Sequence, residues 1–327
     1  MHLDPEVGDR LRIKNSARVL PLLVVLFGYV AFAPAMLATP GATSGRLGIE
    51  KSPASERTQK DQILRWDPPD TDAPIPSVSA EPPCSLPDVL AQAAARAQML
   101  VSSLQNFNAQ EKIQYEELDD FNNPVDSRIA HFDYLVDLDQ RKGGLVVRET
   151  RTSGHAVVSL PDLMQDAGLP ALALIFLPIY QGDYEMRCEG ADHRDGQAAW
   201  VIHFQQRKDK PARTRSFRAP NAHYPGKLKG RAWISAESGD ILRIETNLVE
   251  PIAMIHLRSN AVSLDYAPVN FPSRNVTLWL PQSAETFSDF GGSRYIVQHT
   301  YTDFQLFSVQ TNQVIQAPPK PAQPPKE

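Results

Sequence analysis

The sequence has only two cysteines in 327 residues and carries none of the common short motifs of catalysis. The nucleophile motif GxSxG, the zinc motif HExxH, the P-loop and the dinucleotide-binding GxGxxG are all absent from it. Its His and Cys residues do not cluster at the spacing of zinc ligands. We therefore expect no catalytic residues, no cofactor and no metal site, in a protein that is not an enzyme.

Positive charge is also scarce. Lys and Arg number 33 against 38 Asp and Glu, so the formal net charge is −5 at pH 7. Binding of nucleic acid depends on the neutralisation of phosphates by Lys and Arg, and we therefore expect no nucleic-acid partner. Long apolar runs are absent after Leu37, and the mean hydropathy is −0.33, so we expect no further membrane span.

One long apolar run is present, and it lies near the N-terminus. Val19–Leu37 carries no charge and follows a polar segment with four basic residues, Arg10, Arg12, Lys14 and Arg18. A basic segment, an apolar segment and then small residues are typical of a secretory signal, and Ala33-Pro34-Ala35 would permit cleavage before Met36. The run also approaches the ~20 residues that span a bilayer. Residues 1–35 are therefore a signal peptide or an N-terminal anchor, and the protein is exported to the periplasm, or held in the inner membrane facing it.

Two proline-rich segments bound the remaining chain. Residues 36–83 are rich in Pro, Ser, Thr and Asp without apolar periodicity, and residues 316–327 are similar. Such segments bury too little apolar surface to offset the entropy of ordering. We predict a disordered linker, a folded domain over residues 84–315 and a disordered tail.

The folded domain begins with a helix and continues as strands. Ser85 and Pro87 are typical of a helix start, and an apolar stripe at helical spacing follows: Leu86, Val89, Leu90, Ala93, Ala97, Leu100, Val101 and Leu104. Apolar residues then alternate with polar ones, and glycine turns separate the runs at Gly143-Gly144, Asp195-Gly196, Ser238-Gly239 and Gly291-Gly292. We predict an α+β fold that is mainly antiparallel β, in which four hairpins in series form a meander sheet.

A short apolar run interrupts this pattern. Ala171–Leu177 lies between Pro170 and Pro178 and has no polar face. It is too short to span a membrane. Two interpretations remain open: ordinary core, since a helix that is apolar all round is usually buried, or a plug or lid over an apolar cavity.

Three segments then carry a resemblance. They are Gly230-Arg231-Ala232-Trp233-Ile234, Ser238-Gly239-Asp240-Ile241-Leu242-Arg243-Ile244-Glu245 and Val276-Thr277-Leu278-Trp279-Leu280-Pro281. With the leading helix and the hairpins, the chain from Leu86 to Phe307 resembles the LolA/LolB/RseB superfamily of periplasmic lipoprotein carriers and sensors. Ser235 stands where that pattern often has Asp. The resemblance implies a strongly curved antiparallel sheet, an incomplete barrel, with helices on its concave side and acyl chains bound there.

That resemblance turns the apolar alternation into a candidate ligand cavity. Its predicted lining is Phe107, Ile113, Tyr115, Phe132, Tyr134, Val136, Leu172, Leu174 and Phe176. Taken singly, each of these residues is first of all ordinary core, because inward-facing apolar residues need no function. Burial of an acyl chain stabilises by roughly 0.8 kcal/mol per CH₂, so such a site needs no fixed polar constellation. The predicted function is the binding of a lipid or an acylated protein; the alternative is an envelope sensor or scaffold that binds a protein partner.

Two further features complete the prediction. An exported domain with two cysteines favours a disulfide between Cys84 and Cys188, the alternative being two free thiols. One segment concentrates basic residues: Arg207, Lys208, Lys210, Arg213, Arg215 and Arg218. This basic loop would be an exposed loop, or a contact for the anionic head groups of a membrane surface or for an acidic partner.

Overall fold

The computed structural model describes residues 50–51, 67–103, 106–141, 144–154, 156–157, 168–219 and 222–306. The apolar segment Val19–Leu37, residues 52–66 of the linker and the tail 316–327 lie outside these residues, and what the sequence predicts for them stays a prediction. Among the described helices, none combines the length and the apolar character needed to cross a bilayer.

The first helix, α1 (Leu86–Ser103), begins directly after Ser85, as predicted. The Ser85 carbonyl accepts the Val89 N–H at 3.1 Å and so closes the first turn. Val89, Ala93 and Ala97 recur at helical spacing and are all buried against the sheet.

The described residues form fourteen strands. They are β1 (Glu50–Lys51), β2 (Asn106–Leu118), β3 (Pro124–Arg141), β4 (Gly144–Ser153), β5 (Ala156–Val157), β6 (Tyr184–Arg194), β7 (Gln197–Gln206), β8 (Ser216–Ala219), β9 (Ala222–Pro225), β10 (Leu228–Ser235), β11 (Ile241–Leu248), β12 (Leu257–Phe271), β13 (Val276–Phe290) and β14 (Ser293–Leu306). All described strand pairs are antiparallel.

Twelve of these strands form one curved sheet that does not close. Its order is β5-β4-β3-β2-β14-β13-β12-β11-β10-β7-β6, with β1 beside β3, while β8 and β9 pair separately. The four predicted hairpins are present as β3–β4, β6–β7, β10–β11 and β13–β14. The predicted fold class, a mainly antiparallel curved sheet with helices on its concave face, is confirmed.

The strand order is not that of a continuous meander. The last strand, β14, returns to pair with β2, and β5 and β6 lie at opposite ends of the sheet although they are consecutive in the chain. Between them lie a 3₁₀ helix, Pro170–Phe176, which we call the inserted helix, and α2 (Pro178–Gln181). Two single-turn 3₁₀ helices, Ala253–Ile255 and Pro272–Arg274, occur in the later connections.

The main core lies between the concave face and the two helical segments. Because side chains alternate across a strand, Ile202, Ala232, Ile244 and Leu264 all point to this face and are fully buried. The buried face of α1 and the whole inserted helix cover them.

The convex face is covered too, and here the structure differs from the predicted linker. Residues 67–83, which we call the strap, lie against the sheet instead of being disordered. Thr71 is 0% exposed, and its N–H and hydroxyl both donate to Asn247 Oδ1, at 2.9 and 2.7 Å. Asn247 Nδ2 in turn donates to the Pro69 carbonyl at 2.8 Å.

An apolar patch on the convex face gives the physical reason for this difference. Ala199, Val201, Trp233 and Leu242 form a buried cluster there, and Ile75 and Val78 of the strap pack against it. The strap also forms a backbone bridge to β6, in which Ser79 and Ala191 exchange hydrogen bonds of 2.8 and 2.7 Å. At Gly190, with φ +141°, a Cβ would lie 2.1 Å from the Ser79 carbonyl oxygen, so the close approach requires glycine.

Candidate functional site

The inserted helix fills the concave face of the sheet. Ala171 to Phe176 are all buried, and Leu169 and Leu177 beside them are buried as well. Phe176 packs edge-on against Phe204 of β7, with ring centroids 6.2 Å apart. The inserted helix therefore lies on the face where the resemblance implies that acyl chains bind. This position is compatible with both interpretations of the segment, ordinary core or a plug over a cavity.

Hydrogen bonds hold the inserted helix mainly at its two ends. Gln181 Nε2 donates to the carbonyls of Phe176 and Leu90, at 2.8 and 3.2 Å, and so joins its C-terminal end to α1. The Leu145 N–H donates to the Tyr180 hydroxyl at 2.9 Å. At the other end, the Gly168 N–H donates to Glu149 Oε1. The apolar side chains between these ends are held by packing.

All nine predicted lining residues are buried on the concave face, but they belong to three different apolar clusters. Leu172, Leu174 and Phe176 pack with α1 and strands β7 and β10–β13. The second cluster contains Phe107, Tyr134 and Val136, and the third contains Ile113, Tyr115 and Phe132. The structure thus places them on one face, where they pack as core. Their role in lining a ligand cavity stays a prediction.

One small pocket opens between α1 and the sheet, with a volume of about 20 Å³. Its lining is Arg96, Ala97, Met99, Leu100, Ala173, Asp240, Ile241, Tyr266, Leu278 and Trp279. A pocket of this volume holds about one water molecule and is far too small for an acyl chain. The Tyr266 hydroxyl is buried in this lining, and burial raises the pKa of the phenol, while the backbone of Ala173 acts against the rise.

The rim of this pocket is polar. Arg96 Nε donates to the Ser238 carbonyl at 2.7 Å and lies 3.5 Å from Asp240 Oδ1. The neighbouring Gly239 has φ +74°, and a Cβ there would lie 2.7 Å from Cβ of Gln92, so the hairpin turn lies directly against α1. Arg96 and the β10–β11 turn therefore form the rim of the pocket beside α1.

Sequence reasoning missed a buried polar cluster on the same face. Arg151 donates from Nε to Glu111 Oε2 at 2.6 Å and from Nη2 to Oε1 at 2.9 Å, and His299 Nδ1 lies 2.9 Å from Glu111 Oε1. Burial acts to raise the pKa of Glu111, but hydrogen bonds from His299 and Arg151 outweigh it and lower the pKa to about 2. One feature of the sequence could have revealed this cluster. Glu111 stands at a position of β2 where the alternation of apolar and polar residues places an inward-facing apolar side chain.

Three further side chains complete this cluster. Arg151 lies over the Tyr134 ring, with Cζ 4.8 Å from the ring centroid, and its Nη1 is 3.7 Å from Glu149 Oε2. Tyr301 stacks on His299, with ring centroids 6.2 Å apart. We call these six residues the buried polar cluster: Glu111, Tyr134, Glu149, Arg151, His299 and Tyr301.

Glu149 gives the cluster an expected pH dependence. Burial raises the pKa of Glu149 above its usual value of 4.5, although Arg151 acts against this. A carboxyl with a raised folded-state pKa stabilises the fold below pH 4.5, and that contribution is lost as pH rises through the folded pKa. Glu149→Gln keeps an acceptor for the Gly168 N–H but does not titrate. As pH rises from 4.5 to the folded pKa of Glu149, we expect its free energy of unfolding to increase relative to the wild type by up to about 1.4 kcal/mol per pH unit. Urea unfolding from pH 4 to 8 measures the difference, and a difference independent of pH would contradict the prediction.

Comparison with known proteins gives structural matches alone, since no protein-family model and no curated protein matches the chain. A LolA superfamily protein from Nitrosomonas europaea is 12% identical with a TM-score of 0.35, covering 69% of this chain and 96% of that one. A domain described as an outer membrane lipoprotein-sorting protein, from Vibrio parahaemolyticus, is 10% identical with a TM-score of 0.37, covering 68% and 94%. A DUF1329 family protein from Desulfovibrio piger is 9% identical with a TM-score of 0.37, covering 68% and 92%.

The fold is thus similar to solved structures that include a LolA superfamily protein. The resemblance predicted from the sequence thus has structural counterparts, and the fold class that it implied is confirmed by the open, curved sheet itself.

The predicted disulfide is also confirmed. Cys84 and Cys188 are bonded, with their Cα atoms 6.3 Å apart. The bond joins the residues just before α1 to β6, at the end of the sheet that also holds the strap.

The basic loop is only partly as predicted. Arg207, Lys208 and Arg213 are exposed, and Arg207 and Arg213 lie 3.3 and 3.7 Å from Asp209 and Asp183. Arg215 is 2% exposed, with its guanidinium over the Phe217 ring at 5.3 Å, so it belongs to the folded interior. The backbone of Arg218 lies in β8. A contact with anionic head groups would therefore depend on the loop residues before Arg215.

Proposed function

We propose that this chain is an exported cell-envelope protein that binds the acyl chain of a lipid or of an acylated protein on the concave face of its sheet. The observation that supports this is the inserted helix, an apolar segment without a polar side, which fills the face and is hydrogen-bonded mainly at its ends. An acyl chain that replaced this segment would restore the apolar contacts that the sheet loses.

The gain and the cost of such an exchange are of the same order. An acyl chain of about sixteen carbons gains roughly 12 kcal/mol on leaving water, at about 0.8 kcal/mol per CH₂. Displacement of the inserted helix exposes four large apolar side chains, at roughly 1.5–3 kcal/mol each, and breaks end hydrogen bonds, each worth about 1 kcal/mol.

The disulfide supports the proposed location, because disulfides persist in oxidising compartments such as the periplasm. The chain would act there as a carrier or binder without catalysis. If Val19–Leu37 is retained, the same domain would work from the inner membrane.

We expect Gln181→Ala to bind an acyl ligand about 5- to 30-fold more tightly than the wild type. The substitution removes two hydrogen bonds that hold the inserted helix closed, about 1–2 kcal/mol in total. Titration of the full-length, non-reduced protein with a fluorescent fatty acid measures the affinity, and native mass spectrometry detects lipid that co-purifies. The matched control is Gln110→Ala, which removes an exposed hydrogen bond to Asp133 and should leave the affinity unchanged.

A protein that carries no lipid and takes up no fatty acid, in either the wild type or Gln181→Ala, would overturn the proposal. The alternative function, an envelope sensor or scaffold that binds a protein partner, would then be favoured. One observation indicates a surface for such a partner. Phe121 and Met254 are 82% and 76% exposed in neighbouring turns at one end of the sheet. Beside the β13–β14 turn, Arg294 Nη1 donates to Asn122 Oδ1 at 2.7 Å. The Gly291 N–H of that turn donates to the His256 carbonyl at 3.0 Å.

A further inference from the structure

Exposed apolar side chains concentrate at one end of the sheet, where β2, β7, β11 and β13 end and where the register places these strand ends side by side. Phe121 in the β2–β3 turn and Met254 in the β11–β12 connection are 82% and 76% exposed, and Val125 at the start of β3 is exposed as well. Ile179, the remaining large apolar side chain exposed among the described residues, lies in α2, which leads into β6 at this end. Single exposed apolar residues need no explanation, but their concentration at one end indicates an interaction surface.

The two most exposed of these side chains stand on turns that are fixed in position. In the β2–β3 turn, Asp119 Oδ1 accepts the Phe121 N–H at 2.8 Å, and Arg294 Nη2 donates to the Asp119 carbonyl. In the β11–β12 connection, Met254 lies in a single-turn 3₁₀ helix whose next residue, Ile255, is buried. Both side chains are therefore held outward, and their insertion into an apolar medium requires no rearrangement of the fold.

The β13–β14 turn lies between these two turns and consists of Gly291 and Gly292. The Gly291 N–H donates to the His256 carbonyl and so joins this turn to the β11–β12 connection. Because glycine has no side chain, nothing in this turn prevents Phe121 and Met254 from entering one surface together. We call three segments the tips: residues 119–123, 249–256 and 291–292.

The basic loop continues the same end of the sheet. It belongs to the connection between β7 and β10, and the Val249 N–H donates to the Lys227 carbonyl at 2.8 Å, which joins this connection to a tip. Lys227 Nζ donates to the Lys208 carbonyl at 2.7 Å. Residues 207–227 carry seven Lys and Arg against one acid, Asp209, in a chain whose formal net charge is −5.

The acids at this end do not cancel that charge. Six of them lie in or beside the tips and the basic loop: Asp119, Asp120, Asp183, Asp209, Glu250 and Asp289. Arg258 and Arg294 add to the seven basic residues of the connection, so cations outnumber acids here by nine to six. Exposed apolar side chains combined with an excess of positive charge match the surface of an anionic bilayer.

We propose that the tips and the basic loop dock the protein on an anionic bilayer, with Phe121 and Met254 entering the interface and the basic loop lying against the phosphate head groups. The strap also begins at this end, where Asn247, one residue before the end of β11, binds the Pro69 carbonyl and the Thr71 N–H. A membrane segment that precedes the strap in the sequence would therefore connect to the docked end. The docking is separate from the proposed function, because it uses none of the residues buried beneath the inserted helix.

Quenching by brominated lipids tests the docking in the full-length protein with its disulfide intact. A fluorophore on Ser293→Cys, beside the β13–β14 turn, should be quenched by vesicles of phosphatidylglycerol and phosphatidylcholine in equal parts, brominated on their acyl chains. At a fixed lipid concentration, we expect Phe121→Asp/Met254→Asp to lower the ratio of quenched to unquenched label at least ten-fold. Lys208→Ser/Lys210→Ser should lower it about five-fold for each charge removed.

The matched control carries the label on Gln197→Cys, beside the β6–β7 turn at the opposite end of the sheet, and should stay unquenched. Because Phe121 and Met254 are exposed, their double variant should keep the wild-type melting temperature and the wild-type uptake of a fluorescent fatty acid.

Equal quenching of the two labels, quenching that survives both variants, or equal quenching on pure phosphatidylcholine would overturn the proposal. So would the absence of quenching on every vesicle, and photo-crosslinking from Ser293 would then show whether this end binds a protein instead. A failure to take up fatty acid while the tip label is quenched would sink the proposed function and leave the docking intact.

Discussion

Replacing Arg151 by methionine will lower the free energy of unfolding by about 3–5 kcal/mol, the usual cost of leaving a buried charge without its partner. Arg151 is 8% exposed and Glu111 is 1% exposed, so water cannot replace the lost guanidinium. Glu111 must then ionise without its main partner or bind a proton, and either costs stability at neutral pH. Urea unfolding at pH 7 measures the loss.

The same variant should be closer to the wild type in acid. The pKa of Glu111 is lowered to about 2 in the folded protein from a usual value of 4.5, so the carboxylate contributes stability above pH 4.5. That contribution is lost as pH falls from 4.5 through about 2, and the deficit of Arg151→Met should shrink over this range. A deficit that stayed constant would show that the loss comes from packing of the arginine side chain.

The control for this prediction removes Glu111 together with the two side chains that bond it. The triple variant Glu111→Leu/Arg151→Met/His299→Phe replaces Glu111 and both of its partners by apolar side chains of similar size. Because such replacements are often neutral or stabilising, we expect it to recover most of the stability that the single variant loses. A triple variant that is less stable than Arg151→Met would contradict this expectation and show that the ion pair itself stabilises the fold.

The buried polar cluster shows which features the sequence could predict and which it could not. Strand alternation identified Phe107, Ile113 and Tyr134 as inward-facing because their neighbours are polar, and local periodicity is readable from sequence. Glu111 lies in phase with them, but the partner that makes its burial possible is forty residues away on β4. Local periodicity carries no information on which strands pair when they are distant in sequence.

The strap shows the same limit on the convex face. Its sequence is polar and proline-rich, so by composition it should be disordered. It is ordered because Trp233 and Val201 leave an apolar patch and because Asn247 bonds its backbone, and both depend on strands that follow more than a hundred residues later. The turns at Asp195-Gly196 and Gly291-Gly292, by contrast, are local, and each formed the hairpin that was predicted.

Removal of the disulfide is the second large effect that we expect. Cys84 and Cys188 are 104 residues apart, and closure of a loop of about 100 residues lowers the entropy of the unfolded chain by up to ~4.7 kcal/mol in the entropic model. We expect Cys84→Ser/Cys188→Ser to lose about 2–5 kcal/mol of unfolding free energy, the range found for native disulfides. Urea unfolding of the oxidised wild type and of the variant measures the loss, and the wild type in excess reductant should match the variant.

The location of the bond adds a local effect to this global one. Cys188 lies on β6, a terminal strand of the sheet, and two residues later Gly190 closely approaches Ser79 of the strap. Cys84 directly follows the strap and precedes α1, so one bond fixes the strap, the helix and the terminal strand together. In the reduced protein, amide hydrogen exchange should therefore rise first in β6 and the strap, and less in the β2–β14 pair. Uniform acceleration across the whole sheet would show that the disulfide acts only on the unfolded state, whereas a local rise would show that it also holds the edge of the concave face on which the lipid is proposed to bind.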